Sequence, residues 1–216
     1  MTRILLAGAS GMVGREVLRQ ALADPRIGEI VAPARRPLAA HPKLRDVRVD
    51  FDALPADAPW WKVDAVICTL GTTIRDAGSR AAFRKVDLDY PLAVARQALA
   101  HGAATFVLTS ASGADADSRI FYSRTKGELE RDLRTLGYRS LCLVRPGLLG
   151  GERDRRRPIE HAGMRLLGAI GPLLPRRYRV VPAERVAATL LRMALDAEPG
   201  VRIIESEEIG SASASQ

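Results

Sequence analysis

The fold is decided near the amino terminus, where residues 3–14 read RILLAGASGMVG. The apolar run RILLA predicts a buried strand, and the helical spacing of apolar residues over 13–23 predicts a helix. Between them lie three glycines at every third position, Gly8, Gly11 and Gly14. Glycines let a backbone turn tightly and let other groups approach it closely. The stretch therefore predicts a strand–turn–helix unit that begins a sheet.

Apolar strand-like runs alternate with helical patterns along the rest of the chain. Pro91 should kink or split the longest predicted helix. Strands that are apolar on both faces and alternate with helices are typical of a parallel sheet covered on both sides. We therefore predict an α/β fold with a doubly wound parallel sheet, in a single domain over residues 1–209. Its further strands are expected at about 29–34, 47–51, 64–70, 105–110, 139–145 and 201–204, and its further helices at about 79–101, 121–136 and 183–197.

The end of the sequence differs in character from the rest. A small substrate region is expected at about residues 151–200, where Met164–Leu174 is apolar and predicts a core or pocket-lining helix. Residues 210–216 are small and polar and are expected to form a disordered tail.

Composition narrows the class of protein. The 216 residues are 47% hydrophobic and 27% charged, which is typical of a globular domain. No apolar run reaches the ~20 residues of a membrane span, and the N-terminus lacks the pattern of a secretory signal. Cys68 and Cys142 lie in apolar strand-like runs and are expected to be buried free thiols, with no metal site. We therefore expect a cytoplasmic protein that does not bind a membrane.

The net charge of +8 comes mainly from arginine, which supplies 29 of the 33 basic residues. The cluster Arg153–Arg157 leaves three alternatives open: an anion clamp, a docking patch, or a solvated loop that pairs with Glu152 and Asp154. No aromatic residues interleave with these arginines, and no helix-turn-helix or zinc-finger spacing occurs. We therefore expect a small-molecule substrate and no nucleic acid. A homodimer or a protein partner stays open.

The glycine-rich turn and the helix after it predict a dinucleotide site. The helix N-terminus offers free N–H groups and a partial positive charge to a pyrophosphate. NAD-binding units commonly end their second strand with an acidic residue, whereas arginines there suit a 2′-phosphate. We therefore expect NADP(H) in preference to NAD(H). The predicted cofactor-binding residues are Gly8, Ser10, Gly11, Met12, Val13 and Gly14 in the turn, Arg35 and Arg36 after the second strand, and Leu70, Gly71 and Thr72 after the fourth.

A tyrosine and a lysine supply the candidate chemistry. Tyr122 and Lys126 stand four residues apart in YSRTK and would share one face of a helix. An ammonium beside a phenol stabilises the phenolate, so Tyr122 is a candidate acid for a carbonyl or base for an alcohol. Lys126 would also bind the nicotinamide ribose. Ser110 closes the fifth predicted strand and is the candidate hydrogen-bond donor to the substrate oxygen, with Ser112 as the less favoured alternate.

These motifs resemble the short-chain dehydrogenase/reductase superfamily, and the resemblance covers about residues 1–150. Its details are similar to the atypical branch that includes the Tat-interacting oxidoreductase-like and NmrA-like proteins. The resemblance implies a Rossmann-type sheet, NADP(H) binding, Ser110, Tyr122 and Lys126 in the catalytic places, and Pro146 and Gly147 lining the nicotinamide pocket. It is carried by GASGMVG (8–14), CTLGTT (68–73), Ser110, YSRTK (122–126), KGELE (126–130) and RPGLLGGER (145–153).

One position departs from the family's pattern. Many catalytic members carry an asparagine in the helix before the fifth strand, whereas this sequence has Asp87 in that region. The leading hypothesis is an NADP(H)-dependent oxidoreductase that acts on a small carbonyl or alcohol. The alternatives are an NADP(H)-sensing regulatory protein that binds a partner without turnover, and an epimerase or dehydratase that keeps its cofactor bound.

Overall fold

A computed structural model describes residues 1–150 and 180–210. The strands in these ranges are β1 (Thr2–Ala7), β2 (Ile27–Ala34), β3 (Leu44–Arg48), β4 (Ala65–Cys68), β5 (Thr105–Thr109), β6 (Ser140–Arg145), β7 (Leu148–Gly150), β8 (Val180–Pro182) and β9 (Gly200–Glu205). The α-helices are α1 (Met12–Ala23), α2 (Ile74–Ala77), α3 (Arg80–Arg84), α4 (Tyr90–Ala100), α5 (Phe121–Arg134) and α6 (Ala183–Asp196). A π-helical turn spans Lys85–Asp89, and 3₁₀ turns span Pro59–Trp61 and Ser206–Glu208.

Several predicted features lie outside the described residues. They are the arginine cluster at Arg153–Arg157, the apolar segment Met164–Leu174, most of the predicted substrate region, and the predicted tail from residue 211 onward.

Seven strands form one parallel sheet in the order β3-β2-β1-β4-β5-β6-β9. Leu5 in β1 pairs with Val31 of β2 on one side and with Val66 of β4 on the other. The chain therefore winds outward from β1 in both directions, which confirms the predicted doubly wound fold. The order reverses between β1 and β4, and folds of this kind bind ligands in the crevice at the carboxyl ends of such strands.

Helices cover both faces of the sheet because successive strand residues point to opposite sides. Ile4 and Leu6 belong to a buried cluster with residues of α1 and α6, such as Val17 and Leu190. The neighbouring Leu5 belongs to a second cluster that includes residues of α4 and α5. Since each strand is buried on both faces, the strands appear as continuous apolar runs in the sequence.

The helix predicted over 79–101 is divided into α3, the π turn Lys85–Asp89 and α4. Pro91 lies in the first turn of α4, and the residues before it, Asp89 and Tyr90, are helical, so its missing N–H falls inside a continuous helical stretch. The predicted helix is therefore interrupted by a π turn just before Pro91.

One predicted strand was misplaced, and one pair of strands was not predicted. The third strand, predicted over 47–51, is β3 (Leu44–Arg48), because a turn begins after it: the Asp50 carboxylate accepts a hydrogen bond from the Asp52 N–H. The short parallel pair β7–β8 was not predicted, since strands of three residues carry too little periodicity to be recognised.

Candidate active site

The glycine-rich turn connects β1 to α1 in a very close packing arrangement. Gly8 has a φ of +90°, and a Cβ added to it would lie 2.7 Å from the Thr69 carbonyl carbon. A Cβ on Gly14 would lie 2.1 Å from the Gly8 carbonyl oxygen. A side chain at either position would therefore push α1 away from β1 and from the loop after β4. The two glycines place the N-terminus of α1 at the point where the strand order reverses.

This turn fits the diphosphate of a dinucleotide. The first backbone N–H groups of a helix have no partner within the helix, and Gly11, the N-cap of α1, supplies no capping side chain. Those N–H groups and the helix dipole favour an anion. Ser10 is exposed, Gly11 and Met12 are half-buried, and Val13 packs into the core.

Arginines follow the strand next to the glycine-rich turn. Arg35 and Arg36 come directly after β2 and are exposed, and neither guanidinium forms a hydrogen bond or ion pair within the described part of the chain. The register pairs Ala34 with Arg48 at the end of β3, and the Arg48 guanidinium donates a hydrogen bond to the Arg35 carbonyl oxygen. Sequence analysis missed Arg48, because only strand pairing brings it beside the other two.

The tyrosine and lysine of YSRTK lie in α5, as predicted. Tyr122 is 38% exposed, whereas the Lys126 side chain is 5% exposed. The Lys126 Nζ lies 2.7 Å from Oδ1 of Asp87, whose side chain is 1% exposed. Burial disfavours the charged ammonium, but the negative charge of Asp87, together with Tyr122 and Cys68, outweighs it and raises the pKa of Lys126. The lysine is therefore a permanently charged group beside Tyr122.

Asp87 also connects this lysine to the loop after β4. Its Oδ2 accepts a hydrogen bond of 2.8 Å from the Thr72 N–H. Gly71 lies over the ion pair: a Cβ there would be 3.4 Å from Asp87 Oδ1 and 3.9 Å from Lys126 Nζ. Of the three loop residues predicted to bind cofactor, Gly71 is exposed, and Leu70 and Thr72 are half-buried. The structure thus brings this loop and Lys126 together through the π turn.

Ser110 is engaged in a buried network. Its Oγ donates a hydrogen bond of 2.5 Å to Oε1 of Glu130, and the serine is 5% exposed. The same carboxylate accepts two hydrogen bonds from Arg145, which also binds Glu205. The hydrogen bonds to Glu130 raise the pKa of Arg145. The predicted substrate-orienting role of Ser110 therefore requires it to leave Glu130, and it stays a prediction.

The predicted nicotinamide-pocket residues are connected to neighbouring loops. The carbonyl oxygen of Pro146 accepts a hydrogen bond of 2.9 Å from the Ser112 N–H. The Gly147 N–H donates one of 3.0 Å to the Ser206 hydroxyl. Ser112 is half-buried, and its backbone joins the loop after β5 to the loop after β6. This hydrogen bond places Ser112 beside the predicted pocket.

Sequence analysis also missed two polar groups near the carboxyl end of the sheet. Glu130 follows Lys126 by four residues, as Lys126 follows Tyr122, so the helical spacing could have revealed it. The Thr109 hydroxyl is buried and has no hydrogen-bond partner among residues 1–150 and 180–210. The sequence does not indicate that the Thr109 hydroxyl lacks a partner. Buried hydroxyls are usually satisfied, so a ligand or water is expected at Thr109.

The reversed strand order and the glycine-rich turn at the reversal define a Rossmann-type α/β fold. Solved structures show the same fold. MoeE5 in complex with UDP-glucose and NAD matches 93% of this chain and 74% of its own, with a TM-score of 0.72 at 18% identity. A short chain dehydrogenase family protein from Francisella tularensis matches 96% of this chain and 98% of its own, with a TM-score of 0.72 at 13% identity.

Curated relatives narrow the class to a family. FMP52 of Eremothecium gossypii is 33% identical over 214 residues, which are 95% of this chain and 94% of that protein. HTATIP2 of Rattus norvegicus is 31% identical over 211 residues, which are 95% of this chain and 87% of that protein. This chain belongs to the family of HTATIP2 and FMP52. No protein-family model matches the sequence.

The predicted cytoplasmic location is wrong on this comparison, because the FMP52 relatives are named as mitochondrial proteins. The prediction was drawn from buried thiols and from the pattern at the N-terminus, and buried thiols suit any reducing compartment. Among the residues that the structure describes, no helix has the length and apolarity to cross a bilayer.

Proposed function

We propose that this protein is an NADP(H)-dependent oxidoreductase that acts on a small carbonyl or alcohol. One observation carries the proposal: the buried ammonium of Lys126 lies on the same helical face as Tyr122, whose side chain is 38% exposed. A phenol that solvent and substrate can reach, next to a permanently charged lysine, has the arrangement of a proton-transfer pair.

Each residue of the site would have its own role in binding or proton transfer. The N-terminus of α1 binds the diphosphate, and Arg35 and Arg36 bind the 2′-phosphate. Lys126 holds the nicotinamide ribose, and Tyr122 gives a proton to the carbonyl oxygen or takes one from the alcohol. When bound, the nicotinamide supplies or accepts the hydride. Gly71, Pro146 and Gly147 leave room for the backbone to lie against the cofactor.

The proposal extends to the organisation of the chain. Residues 1–209 form one domain, the substrate region lies at about 151–200, and the partner in turnover is a small molecule. The solved neighbour MoeE5, which binds NAD by its description, supports a nicotinamide cofactor.

Cofactor titrations test the first half of the proposal. We expect NADPH to bind about tenfold or more tightly than NADH, because charge-assisted hydrogen bonds to a phosphate are worth ~1.5–3 kcal/mol each. Replacing Arg35 and Arg36 together by alanine should remove this difference and leave NADH affinity unchanged. Tighter binding of NADH by the unaltered protein would refute the preference for NADP(H).

Tyr122→Phe tests the second half. We expect NADPH affinity to be retained and kcat to fall by about 100-fold or more, because the variant lacks the proton-transfer group. Tyr138→Phe is the matched control: the Tyr138 hydroxyl binds the Ala95 carbonyl oxygen inside the core, so its loss should cost stability and leave kcat unchanged. Full turnover by Tyr122→Phe would contradict the proposed role.

A second function is favoured by the hydrogen bond from Ser110 to Glu130. With Ser110 held there, the site lacks the substrate-orienting hydroxyl that the resemblance implies. Such a protein would bind NADP(H) and report its presence to a partner without turnover. Tight NADPH binding, together with no turnover over a broad panel of aldehydes and ketones, would favour this function over the enzyme.

A further inference from the structure

Asp87 is the buried charge that the proposed mechanism leaves unused. Its side chain is 1% exposed, and both of its oxygens are engaged, one by the Lys126 ammonium at 2.7 Å and one by the Thr72 N–H at 2.8 Å. It lies in the π turn Lys85–Asp89, between the proposed cofactor loop and α5. A buried carboxylate at this distance forms a fixed ion pair with the lysine.

The ion pair changes the net charge that Tyr122 faces. The titratable groups that face Lys126 are Asp87 from the π turn, Cys68 from β4 and Tyr122 from its own helix. Burial raises the pKa of the Cys68 thiol to about 12, so the thiol is uncharged at neutral pH. Lys126 and Asp87 then cancel, and a phenolate at Tyr122 would add an uncompensated negative charge. An uncharged asparagine in place of Asp87 would instead leave the lysine's positive charge available to a phenolate.

We propose that Asp87 is a positioning residue that neutralises Lys126 and keeps Tyr122 a proton donor, so that the protein works at neutral pH as a carbonyl reductase. The inference rests on the proposed oxidoreductase function and adds the direction of the reaction, which is carbonyl reduction. In that direction the reduced nicotinamide, when bound, would supply the hydride to the carbonyl carbon. Tyr122 gives its proton to the oxygen, which yields the alcohol, and then recovers a proton from solvent. The reverse reaction needs the phenolate and therefore a more alkaline solution.

A spectroscopic titration tests this without turnover. Phenolate absorbs in the near ultraviolet, and subtracting the titration of Tyr122→Phe isolates the contribution of Tyr122. We expect Asp87→Asn to move the midpoint of that titration to lower pH by about one unit or more, the usual effect of a neighbouring charge. Asp87→Glu, which restores the charge, should return the midpoint toward the unaltered value. An unmoved midpoint in a folded Asp87→Asn variant would overturn the inference.

Asp89→Asn is the matched control. Asp89 lies in the same π turn and is exposed, so its replacement removes a like charge without touching the ion pair. We expect its midpoint to match the unaltered protein. An equal shift in both variants would show a general effect of surface charge and refute the specific role of Asp87.

The pH dependence of kcat/KM gives a second test that needs no Asp87 variant. In the unaltered protein, carbonyl reduction should be constant around neutral pH, and alcohol oxidation should still be rising at about pH 8, since oxidation needs the phenolate as its base. An oxidation rate that reaches its plateau below about pH 8 would refute the inference. Loss of folding in Asp87→Asn would leave this test intact.

The two proposals fail in different ways. If no carbonyl is reduced, the oxidoreductase function fails, and the titration of Tyr122 still decides whether Asp87 controls its charge. If turnover depends on Tyr122 but the midpoint of the titration does not move in Asp87→Asn, the oxidoreductase stands and the role of Asp87 falls.

Discussion

Replacing Ser110 by alanine separates the role expected from the sequence from the role that the structure indicates. The resemblance implies that Ser110 orients the substrate oxygen, whereas the structure joins its hydroxyl to the buried carboxylate of Glu130. A catalytic serine would be needed for kcat, and a structural serine would be needed for stability. Ser110→Ala should therefore change either kcat or the free energy of unfolding, and should leave the other nearly unchanged.

The size of the stability loss in Ser110→Ala follows from the hydrogen bonds that Glu130 accepts. A hydrogen bond to a charged group is worth ~1.5–3 kcal/mol. Glu130 keeps both hydrogen bonds from Arg145 in the variant, so its negative charge is still compensated. The loss of stability should therefore lie at the low end of this energy range. We expect Ser110→Ala to lower the free energy of unfolding by about 1.5 kcal/mol. For a chain of this length that corresponds to a fall in Tm of about 3–6 °C.

Urea and thermal unfolding measure the stability of this variant, and steady-state kinetics with NADPH and a reducible carbonyl measure kcat. The structural role predicts the stability loss, unchanged NADPH affinity and a kcat within about threefold of the unaltered protein. A 100-fold fall in kcat with an unchanged Tm would refute this reasoning and restore the catalytic role. Ser112→Ala is the matched variant: Ser112 is half-buried, so little stability should be lost.

Three further outcomes are expected. Gly14→Ala should lower the free energy of unfolding by about 3 kcal/mol and abolish dinucleotide binding, because its Cβ would lie 2.1 Å from the Gly8 carbonyl oxygen. Glu130→Gln should cost about 3 kcal/mol in urea unfolding, because it removes one charge of an ion pair in which Glu130 is 2% exposed. Cys68 and Cys142 should resist thiol reagents at pH 8 in the native state and react in denaturant, because burial raises both thiol pKa values to about 12.

Each of these predictions has an outcome that contradicts it. Normal stability of Gly14→Ala would mean that α1 can move away from β1 at little cost. Asp132→Asn, which breaks an exposed pair with Arg131 on the same helix as Glu130, should cost less than about 1 kcal/mol, and an equal loss in both variants would remove the distinction between buried and exposed pairs. Rapid native labelling of either cysteine would show that its strand opens to solvent.

Much of the fold could be predicted because its signals are local. The glycine-rich turn, the continuous apolar strands and the alternation of strands with helices each arise from a few adjacent residues. β3 was misplaced because its alternating pattern continues past Arg48, where the carboxylate of Asp50 starts a turn. The pair β7–β8 escaped prediction because each strand has three residues and depends on a partner distant in sequence.

The candidate site was predictable in part for the same reason. Tyr122 and Lys126 lie four residues apart on one helix, so their shared face follows from helical geometry. The partner of each polar group comes from another element, and sequence spacing does not reveal it. Asp87 reaches Lys126 from 39 positions upstream, and Ser110 reaches Glu130 across 20 positions.

The sequence by itself determined that the chain forms a doubly wound sheet with a glycine-rich turn before its first helix, because backbone conformation and helical faces depend on neighbouring residues. Tertiary structure alone decided which charges meet. It gave the ammonium of Lys126 a buried carboxylate and joined the hydroxyl of Ser110 to Glu130. The physical reason is that an ion pair or hydrogen bond depends on distances of a few ångströms between atoms, and packing sets these distances between segments far apart in the chain.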